Sequence, residues 1–522
     1  MEENMKKKVK AVTLVLGLLA FFVTGCGRTE DRRAAEAGEK TFVFGDTTFN
    51  AENGEPDIDP HHDNSGWACI RYGVGETLFR FGDGMDPEPW LAESYENVDE
   101  RTWQITLREG VTFTSGRMMD AEAVKECLED LTARHKRAAG DLHIDEIRAE
   151  GMVLTIRTET PVPALINYLA DPYGCIYDVE AGVTDEGIVQ GTGPYMAVSL
   201  ETDTRFELVK NEDYWDGEPR VDRITVRTIT DGDTLTMALQ SGEIDAAYGM
   251  PYASYPLFEN DGYTFTGCAT SRVFFGAMNF ESEITSDPAV RKAIAMGIDK
   301  EGFVETLLGG NGYPAVGVYP DSLAYGGDVV QAESYDPEGA RQILEEAGWT
   351  DEDGDGIREK DGTKLVLRWL TYPSRQELPL LAEAAQASLG EIGFQVEITD
   401  TADHNRIRMD SSAWDIYVSA MVTAPAQDPE YFFTYHCLDS SANNDGHYHN
   451  DQIEDMAHEM SMTFDKDRRA ELAVEMQQII LDDHAYVFCS HLRMSMIAKA
   501  NVTGLTAHPC DYYEITADLD IE

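Results

Sequence analysis

The sequence predicts an α/β chain built on largely parallel or mixed sheets. Three observations carry this. Residues 365–398 read as a strand, a helix and a second strand; two helices open on an Asp-Pro pair; and alternating and amphipathic patterns follow one another from Phe42 to the C-terminus without a low-complexity break.

In chain order, Asp120 is an N-cap residue for a helix whose apolar stripe is Val124, Cys127, Leu128 and Leu131. Asp287-Pro288 supplies an N-cap and a proline at the first helical position, ahead of Val290, Ala293, Ile294 and Ile298 on one face. Asp336-Pro337 repeats the device before Ala340, Ile343, Leu344 and Ala347, and Gly348 ends that helix. Leu365, Leu367 and Trp369 alternate with outward positions, as do Phe394, Val396 and Ile398, and the Ala-, Leu- and Glu-rich stretch 375–391 between them completes a β-α-β unit. Leu472, Met476, Ile479 and Ile480 line a further long helix.

The N-terminus carries an export signal. Lys6, Lys7, Lys8 and Lys10 precede an apolar run over residues 11–23, too short for a span of about 20 residues, and Val23-Thr24-Gly25 leads into Cys26. A cysteine directly after small residues marks a lipoprotein signal, with Cys26 as the lipidated new N-terminus; the competing reading is an ordinary cleaved signal. Residues 26–40 are expected to be a flexible tether. The protein is therefore expected outside the cytoplasm, lipid-anchored to a bacterial membrane.

Composition bounds the partners. The chain of 522 residues carries a formal net charge of −55, which argues against nucleic acid and anionic headgroups and favours cations. Hydrophobic residues make up 42%, enough for a large core. The cysteines beyond Cys26 (Cys69, Cys127, Cys175, Cys268, Cys437, Cys489 and Cys510) are odd in number and widely spaced, without a C-x-x-C, so neither a disulfide scaffold nor a zinc ribbon is indicated.

The most specific motifs lie between residues 191 and 245. They are Gly191-Thr192-Gly193-Pro194-Tyr195, Asn211-Glu212-Asp213-Tyr214-Trp215 with Gly217 and Pro219, and Ala238-Leu239-Gln240-Ser241-Gly242-Glu243-Ile244-Asp245. Gly191 and Gly193 are expected to supply permissive dihedrals for a turn, and Tyr214 and Trp215 an aromatic plug. Together with Pro89-Trp90-Leu91-Ala92-Glu93-Ser94, Leu107-Arg108-Glu109-Gly110 and Asp428-Pro429, these motifs resemble the solute-binding proteins of oligopeptide, dipeptide and nickel ABC importers (solute-binding protein family 5) over nearly the whole chain after the signal. The resemblance implies a two-lobed clamshell with an extra subdomain in the first lobe. The first lobe would comprise residues 41–275 completed by 490–522, and the second residues 276–489. It also implies a non-enzymatic, monomeric protein without a cofactor, which captures a peptide or a metal chelate between the lobes and delivers it to a membrane permease.

The ligand is less legible. Arg137 falls where the nickel branch of the family places an arginine against a chelator's carboxylates, and bidentate pairing suits arginine; the alternative is a solvated helix end. His61, His62, Trp67 and Tyr72 lie on a segment expected to wall the cleft, and Asp428 on another. His447 and His449 would share one face if extended, as a candidate pair of metal ligands; His436, Cys437 and His508 are further donors. The sequence departs from the nickel pattern at Met421-Val422-Thr423-Ala424-Pro425-Ala426-Gln427, at Pro172-Tyr173 where a second arginine is expected, and at Ser441 where a histidine is. Peptide and metal–chelator readings therefore both stand.

Asp351-Glu352-Asp353-Gly354-Asp355-Gly356 matches the start of a calcium loop, but Gly362 stands at the twelfth position in place of a bidentate glutamate, so the segment reads as an acidic turn, with weak cation binding left open. Two other classes are weighed. An extracytoplasmic hydrolase finds no support, since His458-Glu459 lacks a second histidine and no G-x-S-x-G occurs. A structural surface lipoprotein would bind no saturable ligand.

Overall fold

The computed structural model describes residues 38–82 and 85–522. Cys26, the signal and most of the tether lie outside the described residues. The tether expected to reach residue 40 ends earlier: Glu39 pairs with Arg223 at 3.5 Å, the Lys40 amide donates to Asp222 at 2.8 Å, and the Lys40 ammonium meets Asp520.

Among the described residues an 11-stranded mixed sheet runs through the molecule. From one edge its main path takes Gln395–Asp400, Val366–Thr371, Ile416–Val422, Tyr263–Met278, Tyr486–Lys499, Ala246–Tyr248, Thr41–Asp46, Arg223–Thr228, Arg205–Lys210 and Tyr195–Glu201. Val366–Thr371 pairs in parallel with Gln395–Asp400 across helix Glu377–Gly390, which is the β-α-β unit read from the alternation. Leu365, Leu367 and Trp369 are fully buried, each worth about 1.5–3 kcal/mol of transfer free energy.

Two long antiparallel strands, Tyr263–Met278 and Tyr486–Lys499, join the halves of this sheet. Residues 496–498 of Tyr486–Lys499 pair with Ala246–Tyr248 in the first lobe, and residues 272–278 of Tyr263–Met278 pair with Ile416–Val422 in the second. Their ladder shifts register between Ala269 and Val273, so the regular pairing is interrupted where the chain passes between lobes. The first lobe carries the extra subdomain: an antiparallel sheet of Ala92–Asp99, Thr102–Leu107, Val153–Thr158 and Ile144–Glu150, covered by helix Ala121–Arg134. Asp120 caps that helix through the Ala123 amide, and Val124, Cys127, Leu128 and Leu131 are buried as the stripe predicts.

In the second lobe, Asp287 and Asp336 cap helices Pro288–Gly297 and Pro337–Glu346, and Gly348 takes φ +90° just beyond the second. Trp349 donates to Asp287 at 3.1 Å and ties the start of one helix to the end of the other.

The signature motif has a reason the sequence did not reveal. Gly191 and Gly193 do not adopt positive φ; a Cβ on either would sit 2.3 Å from the carbonyl oxygen of Val74 or Gly73. Close backbone approach, not dihedral freedom, requires glycine here. This approach brings Thr192 onto the buried carboxylate of Glu76 at 2.7 Å, where Tyr214 (2.7 Å) and Trp215 Nε1 (2.8 Å) also donate. The aromatic plug is the lid of a buried acid. Burial pushes the Glu76 carboxyl up to about 7 against the pull of these three donors.

Candidate ligand-binding cleft

The seam between the lobes is built from a few side chains with opposed chemistry. Helix Lys136–Leu142 in the subdomain, capped by His135 through the Ala138 amide, presents Arg137. Its guanidinium carbon lies 4.9 Å from the ring centroid of Tyr173 and 5.1 Å from that of Tyr431, which belongs to the second lobe. Asp171 pairs with the same guanidinium, and Asp141 lies 3.3 Å from Nε. Burial opposes the Arg137 charge, but Asp171, Tyr431 and Asp141 outweigh it and hold its pKa above the ordinary value. Burial pushes Asp141 up to about 6, with Arg137 resisting. Both signs of charge thus meet within one aromatic enclosure.

Tyr431 reaches this place because helix Glu430–His436 is amphipathic. Phe432 and Phe433 are fully buried in the second lobe, while Tyr431 and Tyr435, four residues apart, stack at 5.1 Å on the other face. Asn167 donates to the Ala426 carbonyl at 2.9 Å and Tyr512 to the Pro425 carbonyl at 3.1 Å, so residues 425–426 rest directly on the first lobe. Trp67 packs edge-on against Tyr512 at 4.8 Å and lies under the Arg272 guanidinium at 5.9 Å. Arg272 in turn bonds Asp511 at 3.1 Å.

Beyond Asp511 the seam opens into a cavity of about 310 Å³. Thr47, Tyr248 and Tyr252 line it from the first lobe, Arg375 and Glu377 from the second, and Arg493 from the connecting strand. Tyr252 donates to Glu377 at 2.6 Å and Gln376 to the Met250 carbonyl at 3.2 Å, closing the seam on this side. Behind the cavity Arg71 is buried among Glu55 (3.3 Å), Glu514 (3.0 Å) and Asp46 (3.9 Å). Burial raises Glu55 to about 7, chiefly opposed by Arg71, and raises Glu514 well above its ordinary value.

Arg137 and Trp67 are therefore brought to the seam, and other expected site residues are not. Tyr72 is fully buried in the first lobe, its hydroxyl on Asp46 at 2.8 Å and its ring against Phe44, Phe49 and Phe206, because the residue after helix Ser65–Arg71 turns toward the sheet. His61 is buried between Asp130 (2.7 Å) and Tyr177, all within the first lobe. His62 is half-exposed and pairs with Asp57 at 2.6 Å; that hydrogen bond raises its pKa. Asp428 is held inside the second lobe by Arg469 at 2.5 and 3.0 Å, which neutralises it. His447 has φ +54°, so it and His449 do not form an extended pair: His447 approaches Glu281 at 3.6 Å and His449 approaches Asp439 at 2.9 Å. His436 is half-buried against Met421, and desolvation drives its pKa down to about 4. His508 lies on the Tyr513 ring at 5.3 Å. The seven described cysteines are unpaired.

Sequence reasoning missed Tyr173, Tyr431, Asp171, Arg272, Asp511 and Arg375. A signal existed for Tyr431 and Tyr435, whose four-residue spacing opposes Phe432-Phe433. For Arg272 and Asp511 no local signal exists, because they meet across 239 residues.

A family model described as bacterial extracellular solute-binding proteins, family 5 Middle, matches residues 86–444. The chain belongs to this family. The nickel-binding protein NikA of Staphylococcus aureus is 27% identical over 461 residues, covering 87% of this chain and 90% of the relative. The oligopeptide-binding protein AppA of Bacillus subtilis is 24% identical over 540 residues, covering 98% and 99%. Among solved structures, S. aureus NikA in complex with Ni(L-His)2 superposes with TM-score 0.79 at 25% identity, covering 92% of this chain and 100% of that one. A nickel ABC transporter structure from Bacillus halodurans gives TM-score 0.76 at 31% identity, with the same coverage. The two-lobed fold of family 5, with its extra subdomain, is thus that of binding proteins.

Proposed function

We propose that this family 5 protein is the lipid-anchored, extracytoplasmic binding component of an ABC importer. It captures a small organic solute bearing both a carboxylate and a positive centre, either a peptide or a nickel or other metal chelate, and delivers it to the permease. The observation that carries this reading is Arg137, enclosed by Tyr173 of one lobe and Tyr431 of the other, with Asp141 and Asp171 beside it. A ligand carboxylate pairs with the guanidinium in fork geometry, and a cationic centre faces the two acids and the tyrosine rings. Because the enclosure takes one ring from each lobe, it forms only when the lobes close, so ligand stabilises the closed state alone. Trp67 is proposed as part of the wall. A lipid at Cys26 would keep the protein near its permease.

The metal-chelate form of this reading is favoured by two relatives, the NikA protein of S. aureus and the B. halodurans structure, whose names specify nickel. The test is metal analysis of freshly purified protein together with native mass spectrometry. Near-stoichiometric nickel with an organic companion supports the chelate; a ladder of peptide masses on metal-free protein assigns it to peptides. Absence of saturable binding for both nickel–histidine and a peptide pool would overturn the proposal.

A further inference from the structure

We infer that the acidic loop 351–359 of the second lobe is a calcium site, independent of the ligand cleft. The loop connects helix Pro337–Glu346 to the hairpin Glu359–Lys360 and Thr363–Lys364. One carboxylate oxygen each of Asp351, Asp353 and Glu359 lie within 4.8 Å of one another. The first two are exposed, as acids on a turn are, and would mean nothing by themselves. Glu359 is different. Its residue is only 8% exposed, and its Oε2 is buried without a hydrogen-bond partner. A buried carboxylate oxygen left without a donor is costly unless a cation completes it.

The fold explains why this glutamate is there. Glu359 bridges to Thr350 through paired backbone hydrogen bonds of 3.0 and 2.8 Å, which turns its side chain under the loop. Its Oε1 accepts the amides of Glu352 at 2.9 Å and Asp353 at 3.2 Å, fixing the carboxylate against the turn. The acid absent at the twelfth position of the loop is thus supplied at the ninth. Arg358, buried beside it, bonds the carbonyls of Ile392 and Trp349 and pins the loop to the rest of the lobe. All donors are carboxylate oxygens, the set that suits a hard cation with a flexible shell, hence calcium over nickel, copper or zinc.

Lys364 competes. Its ammonium holds Asp353 at 3.1 Å and also meets Asp355, which withdraws Asp355 from the set. The affinity expected is therefore that of extracellular calcium modules, with Kd about 10⁻⁴–10⁻³ M.

The experiment is calorimetric titration of calcium chloride into chelator-treated protein, with melting temperature read in parallel. Wild-type protein should show one saturable site and a higher melting temperature with calcium. Glu359→Gln should weaken binding about tenfold or more, as should Asp351→Asn, an exposed change that leaves the buried Glu359 in place if the first variant misfolds. Lys364→Ala should tighten it. Unsaturable binding, or equal binding in wild type and Asp351→Asn, would mean a diffuse cation cloud on an acidic surface and would overturn the site.

Discussion

Two buried carboxylates, Glu76 and Glu55, reach the same elevated pKa of about 7 by opposite constructions. Glu76 sits inside the first lobe under three neutral donors, Thr192, Tyr214 and Trp215, with no ion pair among the described residues. Glu55 sits behind the interlobe cavity against the Arg71 guanidinium, with Asp46 and Glu514 on the same cation. The first centre is closed by one lobe and belongs to the scaffold. The second borders a seam that draws side chains from both lobes. Neutral donors satisfy a single buried carboxylate, whereas three carboxylates gathered in one place need a buried cation.

The comparison breaks most directly at Glu76. Glu76→Leu leaves the Trp215 N–H and two hydroxyls without an acceptor and should cost about 3–5 kcal/mol in urea unfolding, while ligand affinity of the folded fraction stays unchanged. Glu76→Gln keeps an acceptor and should cost much less. If Glu76→Leu weakened ligand binding without loss of stability, the scaffold role would be wrong.

At the seam, Arg137→Ala should lower ligand affinity about 30-fold or more and should also lower the melting temperature, because Asp171 is left buried without its cation. Equal affinity in the variant would remove Arg137 from the site. Third comes pH. The folded pKa of Glu76 lies above its unfolded value, so the folded state keeps a proton that the unfolded chain releases. That stability is fully present below the unfolded value and lost as pH rises through about 7. From pH 5 to 8 the loss should be about 2–3 kcal/mol, and Glu76→Gln should abolish it. Glu55→Gln should flatten a second such dependence, with a pH effect on ligand affinity that Glu76→Gln lacks. The smallest effects belong to the histidines: His62→Ala, His447→Ala and His449→Ala should each change affinity by less than about twofold, since all three are exposed and pair with acids away from the seam. A larger loss at any of them would return it to the cleft.

Local elements were legible because their causes are local. Asp120, Asp287 and Asp336 cap the helices they precede, and the alternation at Leu365, Leu367 and Trp369 marks a strand because one face is buried. Legibility ended at contacts set by long-range pairing. Tyr72 and Trp67 are equally aromatic and five residues apart, yet one faces the first-lobe core and the other the seam. His447 and His449 have the right spacing for a metal only if extended, and the left-handed turn at His447 removes that condition.

The sequence by itself determined the α/β class, the helix starts and the family, all carried by patterns within a few residues or by motifs of fixed spacing. Tertiary structure alone decided which residues face one another. Gly191 and Gly193 matter because the backbone at Gly73 and Val74 passes within contact of them, and Asp428 is absorbed by Arg469. Tyr173 and Tyr431 meet on the Arg137 guanidinium from far-apart parts of the chain. Such juxtapositions arise from packing across hundreds of residues, where side-chain identity is local but direction and neighbourhood are not.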